Sequence, residues 1–371
     1  MYAFYVPNLR FPEFEGEWNS FLINDICSEF KSGKNIKADS ISESGEYPVY
    51  GGNGLRGYTS SYNHEGLYVL IGRQGALCGN VRSVNGKTYI TEHAIAVAGN
   101  EKSNTSFLHY LFLKMNLGQF SDQSAQPGLA VNKLLKLKVI LPSISEQTKI
   151  ARLLSLLDER IATQNKIIDK LQSLIKGISN QLLYANNGIS VRLGDILIER
   201  SERTKENNQH EVLSSTVKGI FTQREYFSKD IASENNVGYK VVRLHDVVLS
   251  PQNLWMGNIN YNNKFDIGIV SPSYKVFSIA VGYDKEYIAA LLKTHRALYN
   301  YMLVSEQGAS IVRSNLNMEE FEQLTFKLPP IERQERIGHT ISKLKLRLAF
   351  AYNQKTMYEK QKQYLLRQMF I

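Results

Sequence analysis

Apolar residues in this chain follow two rhythms. From Ile150 they fall alternately four and three apart: Ile150, Leu154, Leu157, Ile161, Ile168, Leu171, Ile175, Ile178 and Leu182, with Gln164 the one polar position in the series. From Ile337 the same spacing gives Ile341, Leu344, Leu348, Ala351, Tyr358, Leu365 and Met369, with Lys355 and Lys362 as polar exceptions. A 3.5-residue repeat sustained this long predicts the seam of a coiled coil rather than an ordinary surface helix. Neither stretch holds an internal proline; Asn186-Asn187-Gly188 closes the first, and the second runs to the last residues. Each predicts a helix of roughly 38 residues, about 55 Å at 1.5 Å per residue. A helix of that length outruns a domain of ordinary size, so the simplest partner for each stripe is the other helix, antiparallel.

Elsewhere the rhythm is that of short strands between Gly- and Asn-rich turns. In the first half the strand-like runs are Tyr47–Tyr50, Leu67–Ile71, Asn80–Val84 and Ala94–Ala98, followed by a short helix over Phe107–Leu117. In the second they are Val241–Leu244, Val247–Leu249, Ile267–Val270 and Tyr274–Phe277, followed by a helix over Tyr287–Val304. The expected fold is α+β: two mixed, mostly β domains over 1–145 and 185–331, separated by long helices over 146–184 and 332–371 that pair as an antiparallel coiled coil.

The halves repeat. Leu141-Pro142-Ser143-Ile144-Ser145-Glu146-Gln147 recurs as Leu328-Pro329-Pro330-Ile331-Glu332-Arg333-Gln334, at an offset of 187. The offset carries forward to Arg160 and Arg347, and back to Leu129 and Leu316. Further upstream, Asp25-Ile26 corresponds to Asp195-Ile196 at an offset of 170. The ends of each half are therefore shared and the middles differ, which predicts a pseudo-twofold frame carrying two different inserts.

Length and charge sharpen this picture. A chain of 371 residues fits about two domains. Its 44 Lys and Arg outnumber 35 Asp and Glu, a net charge of +9 that favours a polyanionic partner. Cys27 and Cys78 lack companions at metal-ligand spacing and are expected to be reduced structural thiols. The N-terminus has neither the basic nor the apolar region of a signal peptide, and no apolar run is long enough to span a bilayer. A soluble, cytoplasmic protein with no membrane partner is expected.

Motifs for chemistry fail. Gly52-Asn53-Gly54-Leu55-Arg56-Gly57 has dinucleotide-loop spacing, but Tyr58–His64 reads as strand or loop where that site needs a helix. A flexible loop carrying Asn53, Arg56 and Tyr58 toward a partner is the better expectation. Gly86-Lys87-Thr88 lacks the earlier glycine of a phosphate loop, Val81 standing there. No proline is followed by Asp, no Asn-Pro-Pro, Asp-Pro-Pro or His-Glu-x-x-His occurs, and the seven histidines are scattered. No constellation for nucleophilic or metal catalysis emerges. What remains is a binding signature. Arg56, Arg73, Gln74 and Arg82 interleave with Tyr50, Tyr58, Tyr62 and Tyr68, and the second half carries the run Ser250–Asn260. Arg, Asn and Gln can pair in bidentate fashion with guanine and adenine edges, while neighbouring Lys and Arg hold phosphates.

These residues, in this order, resemble the specificity subunit of type I restriction-modification systems. The likeness lies in the repeated Leu-Pro-x-Ile-x-x-Gln, in Val6–Phe14 followed by Trp18, in Tyr47–Tyr58, Leu70–Gly75 and Thr91–Ala94, and in Trp255-Met256-Gly257 and Gly268–Tyr274. The resemblance implies two target recognition domains, each reading one half of a split, asymmetric double-stranded DNA site. It implies spacer helices that set the gap and recruit two modification subunits, to which two motor and nuclease subunits can be added. It also implies a chain with no catalytic residue, metal or bound cofactor, S-adenosylmethionine belonging to the adenine-methylating partner. Two features depart from the pattern: Arg333 replaces the Glu of Glu146-Gln147, and Lys355 and Lys362 interrupt the second seam. The candidate DNA-binding residues are Asn53, Arg56, Tyr58, Arg73, Gln74, His93 and Gln126 in the first domain. In the second they are Arg224, Gln252, Asn253, Trp255, Asn258, Ser310 and Arg313. The competing readings are an enzyme in its own right and a coiled-coil scaffold that binds only proteins.

Overall fold

The computed structural model describes residues 5–122, 127–183, 188–226, 235–310 and 313–371, with side chains left out at 182, 306–310, 313 and 314. The chain forms two compact units, Met1–Asn165 with Asn353–Ile371, and Lys166–Tyr352. Each unit takes part of both long helices, so the units do not follow the four-segment division 1–145, 146–184, 185–331 and 332–371.

The first unit begins with strand Asn19–Leu22, paired antiparallel with Lys138–Leu141. A helical turn, Ile23–Ile26, buries both isoleucines and leads into strand Cys27–Ser32. That strand lies at the edge of a four-stranded antiparallel sheet, followed in order by Ala94–Gly99, Tyr68–Gly72 and Val81–Val84. A second sheet runs Gly54–Thr59, Tyr47–Gly51, Lys87–Ile90, His64–Glu65. Helix Thr105–Met115 buries Phe107, Leu108, Leu111 and Phe112, and Asn116 ends it with φ of 49°, a left-handed stop.

The second unit repeats this plan. Strand Ile189–Arg192 pairs with Thr325–Leu328, and turn Leu193–Ile196 follows. A sheet of the same order then runs Leu197–Glu199, Lys275–Ile279, Val247–Leu249, Ile259–Tyr261. The inserts differ: here the remaining strands form separate pairs, Leu213–Thr216 with Gly219–Thr222 and Lys240–Arg243 with Ile267–Val270. A hairpin, Ser305–Ser310 with Arg313–Leu316, has no counterpart among the described residues of the first unit.

The single helix expected over Tyr287–Val304 is two helices, Lys285–Leu291 and His295–Leu303. Thr294 makes the break. Its hydroxyl donates to the Leu291 carbonyl at 2.8 Å, and its oxygen accepts the Ala297 N–H at 3.2 Å, a helix start placed inside an apolar run.

The long helices span Ile144–Leu182 and Ile331–Gln368. Every described residue of both predicted seams is buried or half-buried. The helices run antiparallel within each unit: Asp158 pairs with Lys362 in the first, and Gln172 donates to the Tyr352 hydroxyl at 2.7 Å in the second. Their outer parts also join the domain cores. Ile150, Leu154 and Leu157 cluster with Leu365, Met369, Phe370, Trp18 and Phe107, whereas Ile337 and Ile341 cluster with Leu183, Leu193 and Phe321. Lys362 is accommodated by an ion pair with Asp158 and by the Tyr110 ring, 5.5 Å from its ammonium. Burial and this cation together push His109 down to about 4.

The repeated glutamine explains the motif that contains it. Gln147 is fully buried. Its Nε2 donates to the carbonyls of Pro142 at 2.9 Å and Lys102 at 3.0 Å, while its Oε1 accepts the N–H of Asn104 at 2.8 Å. Asn104 caps helix Thr105–Met115. Gln334 does the same work: Nε2 donates to Pro329 O at 2.8 Å, and Oε1 accepts from the N–H of Asp284, the cap of helix Lys285–Leu291, at 3.2 Å. Each glutamine thus fixes the start of a long helix to the start of a domain helix. Glu146, the residue that Arg333 replaces in the second half, is buried and accepts the Arg10 guanidinium through two bonds of 2.8 Å, whereas Arg333 is exposed.

Candidate nucleic-acid interface

In the first unit, four loops meet beside the Tyr47–Gly51 and Gly54–Thr59 hairpin. Glycine-permitted approaches join them. A Cβ on Gly52 would lie 2.7 Å from the His93 carbonyl oxygen, which accepts the Arg73 N–H at 2.9 Å. Arg73–Gln74 is held in turn by segment 127–129: Leu129 N–H donates to Arg73 O at 2.9 Å, Gly75 N–H donates to Pro127 O at 3.0 Å, and Gln74 bridges Gly128. Asn53, Arg73, Gln74 and His93, drawn from three loops, therefore share one surface. Gln126 lies outside the described residues.

The expected flexible loop at Gly52–Tyr58 is instead mostly strand, and the strand aims Arg56. Tyr50 faces Leu55 while Val49 faces Gly57, so Arg56 is the extra residue of a β-bulge. A bulge turns a side chain out of the alternating pattern. Arg56 crosses Gly51, where a Cβ would meet its Cδ at 2.9 Å. Tyr58 does not join this group. Its backbone exchanges hydrogen bonds with Ser42, on the part of the strand away from the turn. Arg82 does join: its guanidinium lies against Gly54, 2.9 Å from where a Cβ would stand, and Gly54 has φ of +106°. Arg82 belongs to the basic run but not to the candidate set; Gly54 stands on a strand of the other sheet, and spacing along the chain gives no signal for that placement.

In the second unit, Gln252, Asn253 and Trp255 sit on a 3₁₀ segment, Pro251–Met256, closed by Gly257 with φ of +92°. Strand Arg313–Leu316 packs along it, which brings the backbone of the Ser310 and Arg313 hairpin to the same place; those two side chains lie outside the described residues. Arg224 is exposed on a separate short helix, Gln223–Tyr226. Asn258 is corrected. It is buried, its Oδ1 accepts the Ser215 hydroxyl at 2.9 Å and its Nδ2 donates to Ser215 O at 3.0 Å, so its amide is spent inside the unit. Asn260 extends this network to Thr216 O at 2.7 Å. Lys293, absent from the candidate set, donates to Gly257 O at 2.6 Å and ties the 3₁₀ segment to the helix break. Burial, with Lys345 nearby, pushes Lys293 down to about 8.

The surfaces offer guanidinium, amide, imidazole and indole groups on loops braced by sheets, a chemistry suited to phosphates and base edges. Among the described residues, no three His, Cys, Asp or Glu side chains gather as a metal site, and no helix is long and apolar enough to cross a membrane.

Comparisons with known proteins find likeness to one kind of protein. Residues 15–173 match the family described as type I restriction modification DNA specificity domain. Over 154 residues the chain is 44% identical to the specificity subunit of the type I restriction enzyme EcoprrI from Escherichia coli; the aligned part spans 40% of this chain and 38% of that relative's length. A Haemophilus influenzae protein assigned as a type I restriction enzyme specificity subunit, S.HindORF215P, is 24% identical over 351 residues, covering 89% of this chain and 87% of its own. The crystal structure of a type I restriction-modification system S subunit from M. genitalium shares the fold, with a TM-score of 0.72 at 15% identity over 99% of both chains. Residues 15–173 therefore match a type I restriction modification DNA specificity domain, and the chain as a whole is similar to type I restriction-modification specificity subunits, in sequence along most of its length and in fold.

Proposed function

We propose that this chain is the sequence-reading, non-catalytic subunit of a DNA adenine methyltransferase, each unit reading one half of a split, asymmetric site. The observation that carries this reading is the doubled frame with unlike inserts. Gln147 and Gln334 brace equivalent helix caps, whereas the presented loops carry Arg56, Arg73 and Arg82 in one unit and Gln252, Asn253 and Trp255 in the other. A frame that repeats while its surfaces do not suits two copies of one partner and two different half-sites.

The partners follow from the same frame. Two modification subunits would dock on the repeated elements and supply S-adenosylmethionine and the methyl transfer; two motor and nuclease subunits complete a restriction complex. Large apolar side chains are exposed on the second long helix in both units: Leu346 and Phe350 in one, Met357 and Tyr364 in the other. Within the first unit, Met357 and Tyr364 are seven residues apart and share one helix face, as packing against another helix requires. Residence in the cytoplasm, where the DNA is, belongs to the same proposal.

Binding by the complex to duplex DNA at increasing salt tests the reading. Affinity for target DNA should fall steeply with a log–log slope of about −0.9 per phosphate contacted, and nonspecific DNA should bind far more weakly. A salt-insensitive complex that ignores DNA would instead support the protein-only scaffold.

A further inference from the structure

One acidic residue stands where the first unit presents arginines. Glu92 lies between Thr91, whose hydroxyl oxygen would lie 3.4 Å from a Cβ on Gly51, and His93, whose carbonyl holds Arg73. Among the described residues Glu92 forms one ion pair, with exposed His93 at 3.2 Å through Oε1, and none with Arg56, Arg73 or Arg82. Its Oε2 is buried and, among the described residues, has no hydrogen-bond donor. A carboxylate placed this way adds little to stability and repels phosphate, so the protein gains nothing from it as a structural or backbone contact.

A carboxylate at a DNA-reading surface has one productive use, accepting a hydrogen bond from an exocyclic amino group in the major groove. Adenine offers such a group beside its N7 acceptor, which a carboxylate would face with like polarity. Cytosine offers N4 without that neighbour on its own ring, while guanine and thymine present O6 and O4 acceptors that a carboxylate repels. We propose that Glu92 is a specificity-determining residue that reads one cytosine of the half-site contacted by the first unit. His93 turns to a phosphate as the base amino group takes its place on Oε1. This inference rests on the DNA-reading function proposed above.

The test is to map methylated sites made by the complex carrying wild-type chain, Glu92→Gln or Glu92→Asp. The glutamine keeps the shape and adds a donor. Discrimination should fall roughly five- to hundredfold at one cytosine position of the first half-site, admitting guanine or thymine there. All other positions, including the whole second half-site, should be retained, which also reports that the variant is folded. Glu92→Asp should keep the cytosine preference at lower overall activity. An unchanged motif with Glu92→Gln, or an even rise in affinity for all DNA, overturns the proposal by reducing Glu92 to a neutral or repulsive surface charge. A wild-type complex that yields no motif at all would instead refute the DNA-reading function itself.

Discussion

Replacing Gln147 by alanine should destabilise the first unit more than the same change at Gln334 destabilises the second. Gln147 makes three buried or half-buried hydrogen bonds, to Pro142 O, Lys102 O and from Asn104 N, at 2.8–3.0 Å. Gln334 makes two, one of them 3.2 Å long. Each net bond contributes about 1 kcal/mol, and an orphaned buried group costs about 1–3 kcal/mol. Pro142 O is buried, whereas the Lys102 carbonyl belongs to an exposed residue that water can reach. The expected losses are about 3 kcal/mol for Gln147→Ala and about 2 kcal/mol for Gln334→Ala. The chain's two tryptophans provide reporters, since Trp18 is buried in the first unit and Trp255 lies in the second. In a Trp255→Phe background, urea unfolding followed through Trp18 should lose about 1–2 M of midpoint with Gln147→Ala, at a slope of about 2 kcal/mol per molar. It should move little with Gln334→Ala. Equal shifts for both variants, or a shift below about 0.3 M for Gln147→Ala, would refute the view that this glutamine fastens the domain helix to the long helix.

Further outcomes follow from other sites. His109 is mostly buried with its value lowered from 6.5 to about 4, so the unfolded chain binds its proton first and stability falls as pH drops from 6.5 toward 4. The loss approaches about 3 kcal/mol at the acid end, and His109→Gln should flatten the curve of unfolding midpoint against pH. Gly54→Ala forces a Cβ onto the Arg82 guanidinium at a φ of +106°, so DNA affinity in the first half-site should fall with little change in the second. Asn258→Ala should lower the stability of the second unit by about 2–3 kcal/mol and leave the base preference of the folded protein intact, whereas Trp255→Ala should do the reverse. Leu346→Asp or Phe350→Asp should weaken capture of the modification subunit, read by co-purification, without unfolding the chain, because both side chains are exposed.

The long-range plan of the molecule is visible in its sequence because periodicity and repetition survive local irregularity. The seams from Ile150 and Ile337 need only apolar residues at fixed spacing, and the offsets of 187 and 170 mark the same strands and turns that pair in both units. Features set by one hydrogen bond or one extra residue were hidden. Thr294 reads as any polar residue in a helix until its hydroxyl is seen capping Ala297. Arg56 reads as a loop residue, whereas a bulge in a regular strand aims it. Asn258 has the chemistry of a base reader, but its partners, Ser215 Oγ and O, lie 43 residues away and cannot be inferred from spacing. Arg82 and Glu92 carry no such signal in the sequence, because their meaning comes from neighbours that two sheets and their loops bring together.

The central claim is that one shared frame presents two unlike reading surfaces. Genome-wide mapping of methylated adenines after co-expression with the cognate modification subunit tests it directly, with Arg73→Ala and Trp255→Ala alongside the wild-type chain. The account predicts a split, asymmetric motif, in which Arg73→Ala degrades one half and Trp255→Ala degrades the other. A symmetric motif, or two variants that degrade the same half, would contradict it.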